Sequence, residues 1–319
     1  MKKNIAKIVA ALVVIAFAAV GTFFALSRGS KNVDKISIIT SNFPAFDFAR
    51  AVAGDKAEIK MLVKPGTETH DFEPTPQDII DVKSSDLFIY TGGESDAWIE
   101  DILGDLEGSN TKLFRMMDAV TVVEEELVEG MEHEEEHEPD DHEPEYDEHV
   151  WTSLKNAAKI ITGLKDELNK ISPENEALFE TNAENYLARL AAIDQGFRSV
   201  VANGARTTLV FGDRFPLRYF VDDYDLDYFA AFPGCSEQTE ASSKTIAFLI
   251  DKIKSEGIPV VFKIEMSSGE IASTIAAETN AKVLIFHSAH NISADDFKAG
   301  VTYAEIMKRN VEALKEALE

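Results

Sequence analysis

The chain has 319 residues, 45% of them hydrophobic and 28% charged, with a formal net charge of -26 and a single cysteine, Cys235. That length accommodates about two domains with separate cores, and one cysteine excludes an internal disulfide, so packing alone must hold the fold. So acidic a chain repels nucleic acid phosphates and anionic headgroups and concentrates cations, which excludes nucleic acid as a partner.

Lys2, Lys3 and Lys7 precede an apolar run from Ile8 to Leu26 that only Gly21 and Thr22 interrupt. A cleaved signal carries about 7–15 apolar residues and a spanning helix about 20. The run matches the longer class and holds no cysteine for lipid attachment. Residues 1–30 therefore read as a membrane anchor and linker, with cleavage near Ala25 as the alternative. Lysines before the run place the remainder on the extracellular face of the cytoplasmic membrane, or in a secreted or periplasmic form if cleavage occurs.

A β-branched run over 35–40 predicts a strand. Helical spacing follows over 46–54 and a second strand over 58–63, closed by Pro65 and Gly66. A helix is expected over 76–85, opening at a proline, and a third strand over 87–90. This alternation predicts an α/β fold with a mostly parallel sheet flanked by helices. Residues 122–148 break the pattern. Acidic residues dominate there, interleaved with His133, His137 and His142, and no cation occurs between Arg115 and Lys155. Such a block cannot bury a core and is expected to be disordered.

Ser172 and Pro173 mark a helix start, and apolar positions recur from Leu178 to Val201. The resulting helix over 172–204 would be roughly 45 Å long, suited to joining two lobes. The expected organisation is an N-terminal lobe over 31–171, the linking helix, and a C-terminal lobe over 205–319. The second half repeats the alternation, with strands over 208–211, 227–232, 259–264 and 282–287 and helices over 245–255, 269–279 and 303–318.

Ligands of open α/β sheets bind beyond the carboxyl ends of the strands. His70 follows the second strand and its turn, His287 ends the last strand, and His149 follows the acidic block. A metal held between the lobes by these three histidines is the expected site. His290, three residues after His287, reads as a supporting or exposed residue. The His-rich acidic block reads as a weak collector of divalent ions.

The residues 65–76, Pro-Gly-Thr-Glu-Thr-His-Asp-Phe-Glu-Pro-Thr-Pro, resemble the first-ligand segment of the periplasmic or cell-surface binding proteins of zinc and manganese ABC importers. Asp147-Glu148-His149-Val150-Trp151 is similar to that family's second-ligand segment, usually Asp-Pro-His-Val-Trp. The acidic, His-rich loop and the residues Thr91 to Glu94 and Trp98 resemble the family as well. The resemblance spans nearly the whole chain after the anchor. It implies two α/β lobes joined by one long rigid helix, a metal cargo between them, small closure on binding, and delivery to a permease by a monomer that does no chemistry. The family's third ligand, counted back from Tyr219 and Phe220, falls at Arg214, which cannot ligate, so the adjacent Asp213 is taken as the fourth ligand. Glu240, Cys235 or water are the alternatives there.

Three imidazoles and one oxygen make a tetrahedral zinc site, whereas manganese favours more oxygens. Zinc is therefore the expected cargo, with manganese as the alternative. A zinc hydrolase is the enzyme alternative, but no His-Glu-x-x-His pattern supports it.

Overall fold

The computed structural model describes residues 35–69, 72–106, 109–131, 145–235 and 241–319. The apolar run near the N-terminus lies outside them. Among the described residues no helix is long and apolar enough to cross a membrane.

The first half builds strands β1 (Ile36–Thr40), β2 (Ala57–Met61), β3 (Leu87–Tyr90) and β4 (Lys112–Arg115) and helices α1 (Phe43–Ala53), α2 (Pro76–Lys83) and α3 (Trp98–Leu106). Two long helices follow, α4 (Leu154–Ile171) and α5 (Glu176–Asn203). The second half supplies β5 (Thr208–Phe215), α6 (Arg218–Tyr224), β6 (Asp227–Pro233), α7 (Ser243–Glu256), β7 (Val260–Lys263), α8 (Glu270–Thr279), β8 (Lys282–Ile285), α9 (Ala294–Ala299) and α10 (Tyr303–Leu318). Both sheets are four-stranded and parallel, in the orders β2-β1-β3-β4 and β6-β5-β7-β8. The result is a two-lobed α/β fold.

The period-2 alternation of each strand sorts its side chains between two layers. On β1 and β3, Ile38, Leu87 and Ile89 face a large central core, while Ile39 and Phe88 face a smaller cluster with Val82 of α2 and Ile99 and Leu106 of α3. On β5 and β7, Leu209, Phe211, Val260 and Phe262 face the same central core. Val210 and Val261 instead pack with Leu249 and Ile253 of α7 and Ala272 and Ile275 of α8. The central core is therefore shared by both sheets. Its middle layer is α1, α4, α5 and α10, contributing Phe48, Ile160, Leu164, Phe197, Tyr303 and Leu314 among others.

Local signals explain most boundaries. The Asn42 side chain accepts from the Ala45 amide and caps α1 beside Pro44. Thr75 and Asp78 form a reciprocal capping box on α2, as do Thr302 and Glu305 on α10. The linking helix starts later than its serine suggests. Pro173–Asn175 form a 3-10 turn and the α-helix proper runs 28 residues from Glu176, about 42 Å. The structure also adds α3, β4, α6 and α9, four short elements. The expectation of disorder over 122–148 holds for neither flank. Glu124 pairs antiparallel with Tyr146, the Glu125 amide donates to the Glu145 carbonyl at 2.9 Å, and the Asp147 amide donates to Val123 at 3.0 Å. Residues 132–144, with His133, His137 and His142, lie outside the described residues.

The shared layer carries one charged residue at its centre. Asp47 is fully buried. Its carboxylate accepts from the Arg50 guanidinium at 2.7 Å, from the Tyr303 amide at 2.9 Å and from the Tyr186 hydroxyl, tying α1 to α5 and α10. Burial pushes its pKa up against the pull of Arg50 and these hydrogen bonds. Removing one member of a buried charged network leaves its partners uncompensated. Asp47→Ala should therefore lower the unfolding free energy of the metal-free protein by about 3 kcal/mol, read from urea denaturation. A loss no larger than that of an average surface substitution would show that the network does not hold the layer together.

Candidate metal centre

The site forms where the carboxyl ends of the two sheets face each other. Three segments meet there, and hydrogen bonds lock them together. The turn after β2 is bound by the turn after β8: the Asn291 side-chain amide donates to the Lys64 and Thr67 carbonyls at 2.9 and 2.7 Å, and the Gly66 amide donates to Ile292 at 2.8 Å. The segment carrying His149 is bound by that same second turn, since the Trp151 indole donates to the Ser288 carbonyl at 2.8 Å. Arg214, at the end of β5, pairs with Glu68 across the cleft at 2.8 Å. That contact gives Arg214 a lobe-locking part in place of the ligand that the family pattern puts there.

His149 opens a short 3-10 turn, Val150–Thr152, and is fully buried. Asp147 Oδ1 accepts from the His149 amide at 2.7 Å and lies 3.1 Å from His149 Nδ1. A proton on Nδ1 directed at this carboxylate leaves the lone pair on Nε2, the tautomer suited to ligating through Nε2. The hydroxyl of Tyr219 in turn donates to the Asp147 carbonyl at 2.7 Å and accepts from the Val123 amide at 3.2 Å. The second lobe thus holds the base of the acidic loop.

The His290 ring stands 5.1 Å from that of His149, nearly perpendicular, and 4.8 Å from the Trp151 ring. Glu148 completes the group. Donor atoms of Glu148, His149 and His290 all lie within 4.8 Å of one another, and all three residues are buried. The Glu148 carboxylate accepts from the Ser95 amide at 2.9 Å and from the Ser95 hydroxyl. A Cβ at Gly93 would overlap Glu148, so only glycine lets this carboxylate pass. A cavity of about 20 Å³ lies beside the cluster, lined by Thr69, His149, Glu265 and His290 among others. That is room for one water-sized occupant.

The expected ligands are distributed as follows. His149 is in the cluster. His70 lies outside the described residues, although its neighbour Thr69 lines the cavity. Glu240 also lies outside them. Among the described residues His287 joins no group of three metal-capable side chains, and the group that holds His149 contains His290. The reason is the end of β8. The strand stops at Ile285, Phe286 turns into the core, and Asn310 of α10 binds both the amide and the carbonyl of His287, at 2.8 and 2.7 Å. Ala289 then takes a left-handed φ of 58°, and this turn delivers His290 to the cleft instead. Burial and Arg309 keep the His287 pKa below its ordinary value despite nearby Glu265.

Asp213 is likewise engaged elsewhere. Its carboxylate accepts from the Arg214 amide at 2.9 Å and the Ile264 amide at 3.2 Å, stitching β5 to the end of β7 beside the register shift between Phe211 and Arg214. From sequence His290 ranks as supporting or exposed, and Glu148 is not singled out. Glu148 occupies the place where the family pattern has proline, and that departure was the available signal.

Acid surrounds the cluster. Burial and the charge of Glu148 push Asp96 up to about 7, and burial together with Glu145 pushes Glu94 up to about 7. Such a site binds protons in the absence of a cation and is relieved by one.

The sequence model of the family described as "ZnuA: Zinc-uptake complex component A periplasmic" matches residues 38–317. The chain belongs to this family. It is 28% identical over 301 residues, 93% of its length, to the zinc-binding lipoprotein AdcA of Streptococcus pneumoniae serotype 4, of which it covers 59%. It thus spans about three fifths of the AdcA relatives that it matches. It is 27% identical over 290 residues to the high-affinity zinc uptake system protein ZnuA of Bacillus subtilis, covering 88% of that protein. The zinc-bound ZnuA-like domain of S. pneumoniae AdcA superposes with a TM-score of 0.74 at 26% identity, over 89% of this chain and 99% of that domain.

Burial lowers the His149 pKa, but Asp147, Glu148 and Glu125 together outweigh it, and the net shift is upward from 6.5. A raised pKa keeps the non-ligating imidazolium populated to higher pH, so on acidification the apparent metal affinity should start to decline at a higher pH than an unperturbed imidazole would give. Chelator competition across a pH series measures this. In Asp147→Asn the pH at which apparent affinity starts to decline from its high-pH plateau should move lower, because a raising charge is gone. Affinity at neutral pH should nevertheless fall about 10–100-fold with the loss of the imidazole's partner. An unmoved onset of that decline in Asp147→Asn would separate Asp147 from His149's protonation.

Proposed function

We propose that this chain is the extracellular zinc-capturing component of a metal ABC importer. It takes up one ion in the cleft between its lobes and delivers it, chemically unchanged, to a membrane permease. The observation that carries this reading is the buried meeting of Glu148, His149 and His290, drawn from both halves of the molecule. His70 joins them as the fourth ligand, consistent with Thr69 at the cavity wall. Residues 1–30 serve as the tether to the membrane.

Zinc is favoured by ligand chemistry. Imidazole nitrogens with one carboxylate match its borderline-soft character and tetrahedral preference, while manganese would need more oxygens than this group supplies. The zinc-binding and zinc-uptake relatives are consistent with that choice. The shared core beneath the two sheets favours a folded metal-free form with a largely preformed site, which suits repeated loading and release better than a structural ion would.

Calorimetric titration of zinc and manganese tests the assignment. His290→Ala should weaken zinc binding by more than about 100-fold, beyond the loss expected when only a supporting residue is removed. His287→Ala should bind zinc as the wild type does. The reverse pattern would return the ligand to His287 and overturn the assignment. Tighter binding of manganese than of zinc would overturn the choice of cargo.

A further inference from the structure

We propose that Glu94, Glu145 and Cys235 form a second metal site, a thiolate-and-carboxylate station at the neck of the acidic loop, just outside the histidine cluster. Carboxylate oxygens of both glutamates and the Cys235 Sγ lie within 4.8 Å of one another. The three come from separate parts of the chain. Glu94 sits in the 3-10 turn after β3, Glu145 just before the bridge that Tyr146 makes with Glu124, and Cys235 in the turn after β6. Zinc–sulfur and zinc–oxygen bonds of about 2.3 and 2.1 Å put tetrahedral ligands roughly 3.5 Å apart. Small side-chain rotations close that gap.

The thiol is what separates this group from an ordinary acidic cluster. Cys235 is 6% exposed. Its backbone amide is anchored on the Glu125 carboxylate at 2.9 Å. Among the described residues its Sγ has no hydrogen-bond partner, and it is aimed at two carboxylates. A neutral thiol gains little from such neighbours, and the two carboxylates repel each other. A divalent cation resolves both. The S–H bond breaks, the S–metal bond forms, the proton leaves to solvent, and the ion neutralises the carboxylates. Thiolate with carboxylate suits zinc and its analogues and selects against calcium, magnesium and manganese, which are oxygen-seeking ions.

Position gives the station its role, and this part rests on the transport reading. The neck of the loop is closed by the pairing of Glu124 with Tyr146. Glu94 is followed by Ser95, which binds Glu148, and Glu145 is followed three residues later by Glu148 itself. The same two segments thus serve both metal groups, with Glu94 and Glu145 exposed to solvent and the histidine cluster buried behind them.

Titration of the full chain with cobalt(II) tests the proposal. A thiolate-to-cobalt charge-transfer band should develop, persist in His149→Ala and vanish in Cys235→Ser, which should also bind one zinc fewer by equilibrium dialysis. In the wild type, zinc but not excess calcium should slow alkylation of Cys235, a readout that needs no variant to fold. Absence of the band together with alkylation indifferent to zinc would overturn the second site. Loss of the band in His149→Ala would also overturn it, by making Cys235 part of one histidine site. Should the band form while the histidine variants bind zinc as the wild type does, the capture reading fails and the thiolate site stands.

Discussion

The structure depends on one apolar core that both sheets share. Phe211, Phe262 and Phe286 from the second half and Ile38, Leu87 and Ile89 from the first pack on a single helical layer. Two lobes with private cores would meet through a modest interface and move relative to each other. Here the interface is the core itself, and Asp47 pins α1, α5 and α10 together inside it. The carboxyl ends of the two sheets are therefore held at a set separation. The crossing contacts at the cleft, Trp151 to Ser288, Asn291 to Lys64 and Thr67, and Arg214 to Glu68, refine a geometry that the core already imposes.

That core also explains what could be read in advance. Strand and helix periodicity follow from which side chains must be buried, so β3 and α10 fall where the apolar pattern puts them. Elements with little burial of their own carry little pattern. Solvent-facing β4 is one; α6 does bury Tyr219, Phe220, Val221 and Tyr224, but its 7 residues are too few to display a helical repeat. The His149 segment was legible because it is local: Asp147, His149 and Trp151 act within five residues. The partner from the second half was not. Choosing between His287 and His290 requires knowing that the strand ends at Ile285 and that Ala289 turns left-handed. Nothing in a Ser-Ala-His run announces this, and a shift of three residues changes which imidazole enters the cleft. Asp213 is occupied by contacts that no motif count reveals: its carboxylate accepts from the Arg214 and Ile264 amides.

The acids of the site are costly on their own account. Glu94, Asp96 and Glu125 all hold protons more tightly than free carboxylates, chiefly because burial disfavours their charge. A chain selected for stability alone would not collect them beside the fully buried Glu148 and Asp147. Their placement makes sense if the occupied state is the one that matters. A cation converts the repulsion into attraction, and protons compete with it as the pH falls.

Affinity by itself does not choose zinc, since copper binds most nitrogen and oxygen donors more tightly. Selectivity must then come from how firmly the donors are held. The Asp147 carboxylate orients His149, Trp151 supports the face of His290, and Ser95 takes both oxygens of Glu148. None of the three donors is left to a flexible arm. On the proposed reading, a donor set held this firmly in a tetrahedral arrangement would oppose the tetragonal geometry that copper(II) prefers, and its shortage of oxygens would oppose calcium and manganese. On that reading the rigidity of the core would also be the source of discrimination. If the two sheets could slide, the donors could rearrange around whichever ion binds hardest, and the same residues would lose their preference.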